Sequence, residues 1–168
     1  MDASDAPDTA KAGKYLTFRL GLEEYGIAIL KIVEIIKMMP ITSLPRMPHY
    51  MRGVINLRGK VIPVLELRRR FGMVSVPDDD ETCIIVVSVG WGESNTHIGI
   101  LVDTVSEVLD ILPSDIEPPP CVASLEEMAF IVGMAKTKGS VKTLLDIDLV
   151  LTGDELNEME IKEEPCTA

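Results

Sequence analysis

The sequence predicts an all-β protein built as two small packed barrels with short helices, and three observations predict it. Alternating and β-branched runs fill most of the text between residues 14 and 151, the composition that suits a half-buried pleated surface. Pro40, Pro45, Pro48 and Pro63 forbid a long helix across the first half. The order of elements also occurs twice. GIAILKIVEII at 26–36 matches GILVDTVSEVL at 99–109, which aligns Glu34 with Glu107. GVINLRGKVIPVLEL at 53–67 matches GMAKTKGSVKTLLDI at 133–147, with both glycines of each segment in register. A copy of about 65 residues buries only about 60% of its unfolded surface, so the two copies are expected to cover one another's apolar faces. Closure into barrels removes the strand edges that a small open sheet would expose.

Residues 1–13 read as a flexible acidic tail, polar and poor in helix formers. KYLTFRL alternates as a first strand, a turn at Glu23-Glu24 leads into YGIAI, and IVEII is β-branched enough to prefer a sheet. After the proline loop, two apolar runs, 54–57 and 61–65, are joined across Arg58-Gly59-Lys60 as a hairpin. ELRRRFG follows as a short helix, with cations in its last turn and Gly72 as its terminating glycine. The loop VSVPDDDE separates a first barrel, 14–80, from a second, 81–151, which opens on CIIVVSV. SLEEMAF predicts a short helix opened by Ser124 with Glu127 three residues on. Residues 152–168 form an acidic tail or short helix, with Thr152 and Glu155 in capping-box spacing.

The formal charge is −11, and the two tails carry −2 and −5 of it, leaving −4 on the middle. That balance argues against a nucleic-acid surface, which needs a field of Lys and Arg, and Arg68-Arg69-Arg70 alone does not supply one. The N-terminus lacks the basic and then apolar pattern of a secretory signal, and no apolar run approaches the roughly 20 residues of a membrane span. Cys83, Cys121 and Cys166 show no metal-ligand spacing, which fits a reduced, cytoplasmic protein, with Cys83 a small core side chain.

The search for catalysis is empty at each candidate. His49 and His97 fall into no zinc-binding spacing, Gly90-Trp91-Gly92 lacks the third glycine of a dinucleotide loop, and Asp78-Asp79-Asp80 lacks the alternating oxygen ligands of a calcium loop. No enzyme, metal or cofactor is expected. What remains is binding. Met38, Met39, Met47 and Met51 crowd one loop region, either as an adaptable surface or as gap fillers beneath it. IEPPP at 116–120 is a rigid segment suited to a docking edge or to a plain spacer.

Together, YGIAILKIVEI, LPRMPHYMRGVINLRGKVIPVLELRRRFG, GILVDTVSEVL, IEPPP and LLDID resemble the CheW family of bacterial chemotaxis coupling proteins, in order and over nearly all of 14–151. The resemblance implies two five-stranded SH3-like barrels and a non-enzymatic adaptor. Such an adaptor joins the cytoplasmic tips of chemoreceptors, the methyl-accepting chemotaxis proteins, to the regulatory domain of the histidine kinase CheA. It can also meet other adaptor molecules in rings. The implied location is the cytoplasm, at membrane-associated receptor arrays, without insertion. Adaptors whose pathway drives pili or another output share the same pattern.

The resemblance places a receptor groove between the barrels, along Ile29, Ile32, Glu34, Gly53, Asn56, Leu57, Arg58 and Gly59, with Gly99, Val105 and Val108 from the second half. It places kinase and ring contacts at Met38, Met39, Ile41, Ile116, Glu117, Pro120 and Val122. Glu117 and Cys121 depart from the basic and acidic residues expected there. Taken alone, Arg58 reads as the polar residue of a turn whose backbone needs only Gly59; the resemblance makes it the cation that fixes a helical partner's register.

Overall fold

The computed structural model describes residues 13–91, 94–118, 130–137 and 139–150. Its strands are β1 (Gly13–Leu20), β2 (Glu23–Ala28), β3 (Ile32–Lys37), β4 (Met51–Leu57), β5 (Lys60–Glu66), β6 (Cys83–Trp91), β7 (Ser94–Val102), β8 (Thr104–Ile111), β9 (Ile116–Glu117), β10 (Ile131–Thr137) and β11 (Ser140–Leu145). Two four-residue helices, α1 (Leu67–Arg70) and α2 (Ile147–Val150), follow β5 and β11. The turn between β1 and β2 is Gly21-Leu22, with Gly21 at φ 63°; Glu23 and Glu24, expected as the turn, already belong to β2.

One sheet has the order β8-β1-β2-β11-β10-β9 and the other β3-β6-β7-β5-β4. This corrects the division at residue 80. The first two strands of each half have moved into the sheet completed by the other half. The joints are the parallel pairs β2–β11, with Gly26 beside Leu144, and β5–β7, with Gly99 beside Val64. A β-carbon on Gly26 would meet Leu144 at 3.0 Å, and one on Gly99 would meet Ile84 at 2.8 Å and Val64 at 3.3 Å. The glycine that opens both copies of the repeat is therefore the residue that lets the exchanged strands meet.

Both sheets close. β8 and β9 lie at opposite ends of one sheet, which laid flat would separate them by about 24 Å. The five steps from Ile111 to Ile116 span at most about 18 Å, so the sheet must curl until its ends approach. In the other sheet the chain leaving β3 pairs Thr42 with Val54 of β4, by hydrogen bonds of 2.8 and 2.9 Å. Each barrel is thus sealed by a third strand that bends across from one end to the other. The extra strand in the six-stranded sheet is the broken half of that element.

Each barrel has its own interior: Ile55, Ile62, Val64, Ile84, Val86 and Leu101 in one, Tyr15, Leu109, Ile111, Ala135 and Leu144 in the other. The largest core lies between them, with Leu16, Phe18, Leu20 and Ile27 of one sheet against Leu65, Ile85, Val87, Ile98 and Ile100 of the other. This is the mutual cover that small modules require. A ladder of rings, Phe18, Tyr25, Phe71 and Phe130, runs along it with centroids 5.8, 5.5 and 5.0 Å apart.

The crossovers between sheets are tied by ion pairs. Between β7 and β8, Asp103 accepts from Arg68 Nε at 2.8 Å and Nη2 at 2.5 Å, and from the Gly21 N–H at 2.7 Å. At the corresponding place between β2 and β3, Lys31 pairs with Asp148 of α2 at 2.7 Å, with the charges reversed. The Arg68 guanidinium, helped by Gly21, holds the Asp103 carboxyl below its ordinary range. A depressed carboxylate contributes stability that is complete above its unfolded pKa and is lost as pH falls through the folded one. Asp103→Asn is expected to cost about 2 kcal/mol near neutrality. The gap to wild type should narrow as pH drops below the ordinary aspartate value of 3.8, read from urea midpoints across an acid series.

Gly53 marks the tightest closure. A β-carbon there would overlap the Thr42 carbonyl, and its φ is 146°. Gly53→Ala should therefore lose about 2–3 kcal/mol or more of unfolding free energy, whereas a loss below about 0.5 kcal/mol would show that the bridge to Thr42 is not what seals the barrel.

Candidate functional site

The β4–β5 hairpin turns on two residues, Arg58 and Gly59, with Leu57 opposite Lys60. Both have left-handed backbones, with φ of 52° and 87°, the geometry whose twist matches a two-residue hairpin. Glycine adopts it freely, while a side chain there costs about 1 kcal/mol or more. This corrects the expectation that the turn constrains Gly59 alone. Asn56 Oδ1 accepts the Gly59 N–H at 2.9 Å and fastens the turn. The Arg58 side chain, 69% exposed, extends to the carboxylate of Glu34 on β3.

Glu34 is aimed by a bulge. Ile32 pairs with Val87 and Glu34 with Val86, which leaves Val33 as the extra residue, and such bulges re-aim the side chains beside them. The second copy repeats the device: Val105 pairs with Phe18 and Glu107 with Thr17, leaving Ser106 extra. The buried Thr17 hydroxyl donates to the Glu107 carbonyl and accepts its N–H.

The expected groove residues divide into groups. Ile29, Ile32 and Val105 are half-buried against the core between the barrels, and Val108 is 49% exposed on β8. Glu34 and Arg58 come together in an ion pair beside Asn56 and Gly59. Leu57 packs toward the barrel interior. Gly53 and Gly99 are buried and offer a partner no side chain; they provide room for backbone and core.

Of the second expected surface, Met38, Met39 and Ile41 are half-buried against the barrel interior. These methionines pack one side on the barrel interior and keep the other at the surface. Ile116 packs on the other barrel's interior. Glu117 is exposed and paired with Lys136 on the neighbouring β10, so the acid that departs from the family pattern is locally neutralised. Pro120, Val122, Cys121 and the helix expected over SLEEMAF, except its last residue Phe130, lie outside the described residues.

The basic run is consumed internally. Arg68 holds Asp103, Arg69 reaches Ser75 at 2.8 Å and the buried Glu66 at 3.2 Å, and Arg70 donates to the Val150 carbonyl while stacking on Tyr50 and Phe130. Asp78 is likewise tied down, to Arg52 at 3.1 Å. Sequence reading missed α2, the Lys31–Asp148 pair and Leu30, which is 94% exposed. The match of 53–67 to 133–147, carried one residue further, sets Arg68 against Asp148 and is the signal that could have found the second clamp.

Among the described residues no three His, Cys, Asp or Glu side chains gather as metal ligands, and no helix is long and apolar enough to cross a membrane. Burial pushes the Cys83 thiol up, away from the reactive thiolate. The cavity beside Glu66, Arg68 and Asp103 holds no more than about one water. A strained, charged hairpin tip paired across a barrel seam, beside half-buried aliphatics, defines a protein-binding scaffold.

Comparison with known proteins agrees. The family model of the CheW-like domain matches residues 14–155, and the chain belongs to the CheW family, whose members are non-enzymatic scaffold proteins of chemotaxis. It is 35% identical over 143 residues to the chemotaxis protein CheW of Klebsiella aerogenes, covering 85% of this chain and 84% of that one. Against the CheW of Rhizobium meliloti it is 35% identical over 140 residues, covering 83% and 88%. The crystal structure of the scaffolding protein TtCheW from Thermoanaerobacter tengcongensis superposes with a TM-score of 0.75 at 35% identity, over 86% of this chain and 97% of that one.

If the left-handed backbone of Arg58 is held for binding, a residue that accepts that backbone should do no harm to the fold. Arg58→Asn removes an exposed ion pair worth about 0–1 kcal/mol and relieves strain of similar size. Thermal melting should show equal or slightly higher stability, and a clear drop in melting temperature would make the arginine structural.

Proposed function

We propose that this chain couples the cytoplasmic tips of chemoreceptors to the histidine kinase CheA, working in the cytoplasm and gathered to membrane-associated arrays. The observation that carries the reading is Arg58, an exposed arginine in a backbone conformation that costs stability, held out by Glu34 at the edge of an apolar strip. Strain of this kind persists where the surroundings enforce it and is concentrated at ligand clamps and switch regions. Receptor tips are antiparallel helical hairpins. Ile29, Ile32 and the aliphatics of β8 would take the apolar face of such a helix, and the guanidinium would fix its register through carboxylate or carbonyl contacts. Arginine is enriched among interface residues whose truncation costs about 2 kcal/mol or more. The kinase's regulatory domain, and other adaptor molecules in a ring, would meet the second surface at Met38, Met39, Ile41, Ile116, Glu117, Pro120 and Val122. The Glu117–Lys136 pair at that surface asks for a partner that places no unpaired charge against it.

Sedimentation with receptor-containing membranes and the kinase tests the reading. Wild type should carry the kinase into the pellet and raise its autophosphorylation, while Arg58→Glu should do neither yet melt close to wild type. Equal coupling by Arg58→Glu would remove the arginine, and the groove built on it, from the account.

A further inference from the structure

Ile29–Lys31 forms a single 3-10 turn where the chain leaves one sheet for the other. Its side chains part in three directions. Ile29, and Ile32 just beyond it, pack on the core between the barrels, Leu30 stands 94% exposed, and Lys31 reaches Asp148 at 2.7 Å. One uncapped 3-10 turn is a weak element and does not by itself fix the orientation of its side chains. Asp148, in contrast, stands on a braced post. Its N–H donates to Asp146 Oδ1 at 3.0 Å, the Asp146 N–H donates to the Phe130 carbonyl at 2.8 Å, and Arg70 Nε donates to the Val150 carbonyl at 2.7 Å.

The repeat supplies an internal comparison. At the other crossover the Arg68–Asp103 pair is bidentate, with side chains only 13% and 25% exposed. The Lys31–Asp148 side chains are 38% and 31% exposed, and their bond is single. A pair so open to solvent contributes little to stability, yet it sits within the segment that carries Ile29 and Ile32. Its contribution is to geometry.

We infer that Asp148 is a positioning residue for receptor binding, acting through Lys31 to hold Ile29, Leu30 and Ile32 in the orientation that a receptor helix meets. This rests on the groove assignment made above. Asp148 itself need not touch the receptor. Because the tether ties the groove strip to α2, breaking it should loosen receptor binding while leaving the barrels, and a kinase surface elsewhere on them, intact.

The test uses the full chain, with receptor-containing membranes and the isolated kinase regulatory domain as separate probes, on Lys31→Asp, Asp148→Lys, Lys31→Asp/Asp148→Lys and Lys31→Arg. Each single reversal should weaken membrane binding about fivefold or more, with kinase-domain binding unchanged and melting within about 2 °C of wild type. The double reversal and Lys31→Arg should restore binding. The inference is overturned if the single reversals bind as wild type while Arg58→Glu does not, an outcome that leaves the groove assignment standing. It is overturned also if the double reversal fails to restore binding, or if kinase binding and melting temperature fall together, which would make the pair merely structural. Failure of wild type to bind the membranes at all would instead remove the groove assignment, and this inference with it.

Discussion

Neither half of this chain can complete a sheet from its own strands, and the rest of the structure follows from that constraint. β1 and β2 finish the sheet of β8 to β11, and β6 and β7 finish the sheet of β3 to β5, through parallel joints at Gly26 and Gly99. The exchange makes two small barrels one unit, with its largest core on the seam between them. It also requires the chain to cross between sheets twice, and each crossing is pinned by an ion pair to the helix that follows the last strand of a repeat. The relative placement of the two barrels is consequently a fixed feature of the molecule, because separating them would break both sheets.

Much of this was legible from residues. Alternation in KYLTFRL, the β-branched IVEII and the punctuating prolines announced the strands, and the two offsets aligned even the bulges, since Val33 and Ser106 fall in the same place in their copies. The exchange was not legible. A repeat reveals the order of elements, but either copy's first strands satisfy the same pattern, and hydrophobic periodicity does not say which partner they pair with. The division at residue 80 therefore failed, although the strands read from alternation and β-branching are present. The β1–β2 turn was misplaced because acidic Glu23-Glu24 looked more loop-like than Gly21-Leu22, although glycine is what a left-handed turn residue demands.

At the site, Arg58 and the hairpin were visible because an arginine beside a glycine interrupts two apolar runs. Its left-handed backbone was not visible, since arginine carries no propensity for it. The Glu34 partnership was hidden for a related reason: it depends on a bulge and on closure of the barrel, and both are products of long-range pairing. Met51 is core, while Met38, Met39 and Met47 are only partly buried, a division that composition left open. Glu117 looked like an anomaly in isolation and is answered across the sheet by Lys136, a neighbour that only strand register reveals.

The proposed division of surfaces gives the strip from Ile29 to Glu34 and the hairpin at Arg58 to the receptor and leaves the kinase to bind elsewhere. Amide hydrogen exchange on the full chain, alone, with receptor-containing membranes and with the kinase regulatory domain, addresses it most directly. The account predicts that receptor adds protection over residues 29–34 and 56–60, and that the kinase domain leaves those segments unchanged. Protection of both segments by the kinase domain, with none from receptor, would contradict it.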